Sequence, residues 1–364
     1  MSTPDTLPAR RPARFEGPRR RTLLVSGLLA GGLALAGLLL PAPYVVESPG
    51  PTFNTIGEVD GQSLISIEGE RTFPVSGQLD LTTVYVTGAP NGVGSLDAVG
   101  SWLNPESTVM PLDLVYPPGT TAEEVDEENA AAMTSSQEAA VAAALRELGI
   151  GFTEELAVAG IVPESAAEGR LREGDILLTV DGEEVDGLGN LREVLNAGGG
   201  EAAEITVRRS GSEADVEVVP TEGENGNYQL GVFLSTSFDF PFEVSIALES
   251  VGGPSAGLMF ALGIIDRLDE EDLTGGRHFA GTGTIDSSGT VGPIGGIRQK
   301  LIGAADAGAE FFLAPAGNCG EVLEGGVPDG LEVVKVEDLA GALDAVRTLG
   351  AGGSPDTLPR CTDS

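Results

Sequence analysis

Ala256-Gly257-Leu258-Met259-Phe260-Ala261-Leu262-Gly263-Ile264-Ile265 is a run without one polar side chain, set directly behind Gly252-Gly253-Pro254-Ser255. A stretch that is apolar on every side reads as a helix buried in a core, with Pro254 and Ser255 at its start. Such a fold carries a hydroxyl to a helix N-terminus, where unpaired backbone N–H groups and the positive dipole end suit an oxyanion. The amides of Gly253 and Ser255 are the candidate donors. A plainer account exists: serine before an apolar helix is commonly an N-cap, and a glycine-rich turn is commonly only a connection.

Downstream, Gly295-Gly296-Ile297-Arg298-Gln299-Lys300 adds a second signal. The chain has one histidine, His278, and two lysines, Lys300 and Lys335, among 20 lysine and arginine residues. A serine hydroxyl becomes a useful nucleophile only when a base takes its proton, and lysine can serve where histidine does not. Arginine cannot, because it keeps its proton in proteins. The lysine must be neutral near pH 7, which burial in an apolar pocket achieves. Ser255 and Lys300 lie too far apart for one helix, so the fold must join them.

Together these segments resemble the proteolytic domain of Lon proteases. The resemblance runs through Gly-Pro-Ser-Ala-Gly, Thr282-Gly283-Thr284-Ile285, and Gly289-Thr290-Val291-Gly292-Pro293-Ile294-Gly295-Gly296-Ile297 closing on Lys300. It continues through Gly308-Ala309-Glu310-Phe311-Phe312-Leu313-Ala314-Pro315 and Asn318-Cys319, covering about Glu243 to Arg347. It implies Ser255 as nucleophile, Lys300 as its partner and Thr282 as a residue orienting the pair. One departure is visible. Gly252 stands where Lon proteases usually carry an acidic residue, and membrane-bound Lon-like relatives commonly have glycine there.

A second resemblance lies upstream. Val158-Ala159-Gly160-Ile161-Val162-Pro163 leads into Gly174-Asp175-Ile176-Leu177 and Val180-Asp181-Gly182, then a short helix near Leu188 to Ala197 and two strands ending near Pro220. This is similar to a bacterial PDZ domain, which binds an extended peptide as an added strand. It implies a groove between the Leu156 to Val162 strand and the helix, with Leu156, Val158, Leu191 and Leu195 as candidate peptide contacts. Each of these residues also suits a small core.

At the N-terminus Arg10, Arg11, Arg14, Arg19, Arg20 and Arg21 precede an uncharged run from Thr22 to Val46. Its length suits one membrane span with the arginines on the cytoplasmic side and everything after Val46 outside. A cleaved signal peptide ending near Ala34-Leu35-Ala36 is the competing reading. The predicted organisation is α+β. It runs from a basic segment 1–21 through a transmembrane anchor 22–46 and a first part of the Lon-like domain at 47–148. An inserted PDZ domain at 153–222, the catalytic part at 228–349 and a tail at 350–364 follow. Pro117 to Asn129 reads as an exposed connection, and Ser136 to Leu148 as an alanine-rich helix.

The net charge is −36, and −40 once residues 1–21 are set aside, a surface that repels nucleic acid and anionic lipid headgroups. Its acidity fits a salty habitat, while a GC-rich genome explains the lysine shortage equally well. Cys319 and Cys361 could form one disulfide in an oxidising compartment. One histidine and no close cysteine pair argue against a zinc site, and neither lysine stands in a Walker A motif. No metal, cofactor or nucleotide is expected. The reading is therefore an ATP-independent Ser-Lys endopeptidase at the cell membrane, acting outside the cytoplasm on flexible protein segments. Homo-oligomers are an option, since Lon relatives form rings. The rival reading is a non-hydrolytic PDZ-type adaptor or quality-control receptor.

Overall fold

The computed structural model describes residues 18–39, 41–59, 61–223, 226–248 and 251–362. The first 17 residues of the basic segment, with Arg10, Arg11 and Arg14, lie outside them. The chain divides into two compact units, one of Met1–Val46 with Val86–Thr120, the other of Glu47–Tyr85 with Thr121–Ser364. The expected domain piece 47–148 is thus split: Val86–Thr120 belongs with the N-terminal residues.

In the first unit a helix runs over Pro18–Leu39 and exposes Leu23, Leu24, Val25, Leu28, Leu29 and Leu33. It stops there because Pro41 and Pro43 cannot continue it. Pro41–Ala42 pairs instead with Val93–Gly94, and Tyr44–Asn54 is a strand. The expected span to Val46 is therefore helical only to Leu39. Among the described residues, no helix is long and apolar enough to cross a membrane. Helix Ser95–Trp102 and strand Thr108–Pro111 complete a small cluster around Val46, Val93 and Ala98.

The core of the second unit is a sheet in which Glu332–Val336, Phe311–Pro315, His278–Gly281 and Gln78–Thr87 lie parallel in that order, with Tyr44–Asn54 beyond. Parallel neighbours need crossovers. The Ile297–Asp306 helix provides one and the Cys319–Gly325 helix the next. The apolar run forms helix Gly257–Leu268, and all its residues from Gly257 to Asp266 are buried, as a helix hydrophobic all round must be.

Against it packs the long helix Ala122–Glu147. This helix starts far earlier than the alanine-rich segment suggested: the expected connection Pro117 to Asn129 is largely exposed, with Val125 buried, but it is helical from Ala122 on. Thr121 and Glu124 form a reciprocal capping box at its start. At its other end Ala140, Val141, Ala142, Ala143, Ala144 and Leu145 are buried. Small side chains let the two helices approach: a Cβ on Gly257 would lie 2.8 Å from both Ser136 Oγ and Ile285 Cγ2.

The inserted domain is an antiparallel sheet ordered Ser212–Val218, Ala203–Arg209, Ile176–Val180, Thr153–Ile161 and Val232–Asp239. Helix Leu188–Ala197 packs on its own apolar cluster. The Gly174-Asp175 turn is fixed electrostatically. Asp175 is 1% exposed, accepts the Arg172 amide at 2.8 Å and pairs with Arg209 at 2.6 Å, which holds its carboxyl below the usual range. The last strand lies beyond the expected limit at 222, so the domain recruits chain up to Asp239. The C-terminal residues are also held: Leu358 packs on the main core, and Pro359 O accepts the Lys335 amide.

Candidate functional site

Ser255 sits two residues before the Gly257–Leu268 helix, on a turn held from three sides. Asn129 O of the long helix accepts the Gly253 amide at 3.0 Å, and Ser136 Oγ donates to Pro254 O at 2.9 Å. Ser255 O accepts the Gly283 amide at 2.9 Å and the Thr282 hydroxyl at 2.9 Å. Gly283 O in turn accepts the Leu258 amide. The start of the serine helix is thereby stitched to the segment after strand His278–Gly281.

Lys300 arrives from the crossover helix Ile297–Asp306, which buries Ile297, Leu301 and Ala304 against Phe312 and Ala314. The glycine at its N-cap is required: Gly296 has φ +67, and a Cβ there would meet Val84 Cγ1 at 2.8 Å. Asn318 clamps the preceding loop, accepting the Ile294 amide at 2.9 Å and donating to Ile294 O at 2.8 Å.

These elements bring Lys300 Nζ 2.8 Å from Ser255 Oγ and 2.9 Å from Thr282 Oγ1. Lys300 is 2% exposed, so it is not the surface residue that a first helical turn suggests. Burial lowers its pKa from 10.5 to about 7, against a smaller opposing effect of Glu47. The hydrogen-bond directions are informative. Thr282 spends its proton on Ser255 O, so toward Lys300 it can only accept. That fixes one amine N–H on Thr282 and leaves the lone pair of neutral Lys300 free to take the Ser255 proton.

Glu47 escaped sequence reasoning. Its burial raises its carboxyl pKa, and the nearby Lys300 and Glu321 charges act on it in opposite directions. It stands beside the lysine helix, with Oε2 3.4 Å from the position of a Gly296 Cβ. Nothing local marks it, because a glutamate in a strand has no pattern tying it to a distant lysine.

The expected oxyanion donors divide. The Gly253 amide is spent on Asn129 O, because the turn packs directly on the long helix. The Ser255 and Ala256 amides have no partner among the described residues and stand at the helix start. Cys319 and Cys361 are bonded to each other. His278 pairs with Asp80 at 2.9 Å and takes no part in the serine's hydrogen bonds.

The expected peptide groove keeps its helix side but not its strand. Leu156, Val158, Leu191 and Leu195 are all at most 5% exposed and belong to the core of the inserted domain, yet Leu191 and Leu195 also line a cavity beside the Leu188–Ala197 helix. Both edges of the Thr153–Ile161 strand are paired, one with Ile176–Val180 and the other with Val232–Asp239. A ligand strand has no place beside it. The sheet instead ends at Val232–Asp239. Between that strand and the Leu188–Ala197 helix lies a cavity of about 490 Å³, lined by Leu188, Arg192, Tyr228, Leu230, Val232 and Leu234 among others.

Two family models match the chain. A family model of the Lon protease (S16) C-terminal proteolytic domain matches residues 248–347, and one of the PDZ domain matches 158–209. An archaeal Lon protease from Methanothermobacter thermautotrophicus is 34% identical over 110 residues, which is 30% of this chain and 17% of that protein. Lon protease 2 from Herpetosiphon aurantiacus is 40% identical over 91 residues, 24% of this chain and 11% of that protein. The chain thus spans less than a fifth of the length of these relatives. A crystal structure of the PDZ domain of an SdrC-like protein from Listeria monocytogenes overlaps 22% of this chain and 85% of that one, with TM-score 0.21 and 16% identity.

Proposed function

We propose that this chain, which carries a Lon-type C-terminal proteolytic domain and a PDZ domain, is an ATP-independent serine endopeptidase with a Ser255–Lys300 dyad. The observation that carries the reading is the 2.8 Å contact between Ser255 Oγ and a lysine amine that burial brings to a pKa of about 7. Neutral Lys300 takes the Ser255 proton as the hydroxyl oxygen attacks a peptide carbonyl. The ammonium formed then protonates the leaving amine, and water hydrolyses the acyl-enzyme with Lys300 again as base. The Ser255 and Ala256 amides, at the positive end of the serine helix, are the donors for the oxyanion.

Substrates are flexible or unfolded segments that the PDZ cavity helps to select. A peptide entering that cavity would add as a strand to the outer edge of Val232–Asp239. The setting is the outer face of a cell membrane. The six arginines ahead of the uncharged run that starts at Thr22 and the Cys319–Cys361 bridge support that placement. The test is hydrolysis of an unfolded, fluorescently quenched protein together with labelling by a fluorophosphonate. Wild-type protein should cleave and label at Ser255, and Ser255→Ala should do neither. Lys300→Arg should be nearly inactive, since arginine stays protonated. A His278→Ala variant that is dead beside an active Lys300→Arg would overturn the dyad. A wild type that binds peptide but neither cleaves nor labels would instead support a PDZ adaptor.

A further inference from the structure

The PDZ domain touches the catalytic part at a buried carboxylate. Glu154 opens the Thr153–Ile161 strand, and its side chain is only 2% exposed. Arg146, in the last turn of the long helix, pairs with it at 3.0 Å. Ser287 Oγ donates to it at 3.0 Å, and Arg146 also donates to Ser287 O. On the PDZ side, Gly187 caps the Leu188–Ala197 helix so close that a Cβ would sit 2.9 Å from the Glu154 carboxylate. A buried carboxylate needs such partners, and a helix N-terminus beside it adds to them.

Ser287 belongs to the tip of a short hairpin. Thr284–Ile285 pairs with Val291–Gly292, and Asp286 Oδ1 accepts the Ser288 and Thr290 amides to close the turn. The base of that hairpin is the active site itself: Thr282 holds the Lys300 amine, and the Gly283 amide holds Ser255 O. The far limb of the hairpin is held apart from Glu154, where Gly289 O accepts the Leu339 amide and the Val291 amide donates to Glu337 O, so loosening the Ser287 side acts through the near limb, in which two residues separate Gly283 from Asp286.

Resting on the peptidase reading above, we infer that Glu154, a residue of the PDZ domain, is a positioning residue for the Ser255–Lys300 pair. It pins the hairpin whose base carries Thr282 and Gly283. The PDZ domain is then a structural part of the hydrolytic site, in addition to selecting substrate.

The experiment compares Glu154→Ala, Glu154→Gln and Ser287→Ala in the full chain, using a short unstructured peptide substrate and amide hydrogen exchange. Glu154→Ala should lower kcat about tenfold or more with KM nearly unchanged, because small misplacements of a reacting pair are costly. Exchange at Gly283 should quicken while Ile205, inside the PDZ core, keeps its protection. Glu154→Gln keeps one oxygen to accept from Arg146, while its amide N–H donates to the Ser287 hydroxyl, and it should recover most of the rate. Ser287→Ala leaves the ion pair intact, is tolerated by the fold even where Glu154→Ala is not, and should lower kcat about threefold. Wild-type kcat and wild-type Gly283 exchange in Glu154→Ala, or in Ser287→Ala if the former does not fold, would overturn the inference. A wild type that neither cleaves nor labels removes the peptidase reading alone. The exchange comparison then still decides whether Glu154 holds the hairpin.

Discussion

Replacing Lys300 by methionine should remove activity and yet raise stability at neutral pH. The amine titrates near 10.5 when exposed, and burial brings it to about 7 in the fold. Between those values the unfolded chain holds a proton that the folded chain does not. Stability therefore rises with pH across that window and is flat below about pH 7. The linkage puts the cost of burying the lysine at about 4 kcal/mol at pH 7 and about 2 kcal/mol at pH 9. Methionine escapes that cost and fills a similar shape, but gives up the contacts to Ser255 and Thr282, worth about 1 kcal/mol each. The variant should thus be more stable by about 2 kcal/mol at pH 7 and close to wild type at pH 9. Urea titrations at both pH values measure this. The decisive quantity is the change of about 2 kcal/mol between them, since the lost hydrogen bonds contribute alike at both. Parallel pH dependence of the two proteins would show that the lysine is not buried with a depressed pKa, and the argument for a neutral base would fail.

Glu47→Gln removes the charge that opposes the depression of the Lys300 pKa. The acid limb of kcat/KM, which falls tenfold per unit below the lysine pKa, should move to lower pH. A limb that stays or moves upward rules out the electrostatic role. Cys361→Ser opens the loop closed by the bridge to Cys319, 42 residues apart. Chain entropy puts the loss at about 4 kcal/mol, read by urea titration of oxidised protein. Equal stability of variant and wild type there would mean that the bridge does not constrain the unfolded chain, and the two should coincide once reductant is added.

The Ser255–Lys300 pair was legible because its signals are local. Gly-Pro-Ser-Ala-Gly before a fully apolar run, and a lysine in a chain nearly devoid of lysine, each mark a position without knowledge of the fold. The strand side of the peptide groove was misplaced for the opposite reason, while Leu191 and Leu195 on its helix side do line the cavity. Alternating apolar residues at Leu156 and Val158 identify a strand, but nothing in them says which strand lies alongside. That neighbour, Val232–Asp239, comes from beyond the expected domain limit and turns a predicted binding edge into the interior of a sheet. The long helix was missed at its start because Glu123, Glu124, Asp126, Glu127 and Glu128 look like a solvated loop. Yet acidic residues are favourable in a first helical turn, and Thr121 with Glu124 was a readable capping box.

The start of that long helix also accounts for the one departure from the Lon pattern. A Cβ on Gly252 would lie 2.8 Å from Asn129 Cβ, so an acidic side chain at 252 does not fit while the Gly253 amide is bonded to Asn129 O. The carboxylate acting on the lysine is Glu47, beside the N-cap of the lysine helix. This arrangement ties the turn carrying Ser255 through the Gly253 amide, Pro254 O and Ser255 O, and leaves the Ser255 and Ala256 amides open. Movement of a proton, rather than of the serine, is then the change the site must make. It also means that a side chain added at 252 should disturb the Asn129 contact first and the dyad only through it.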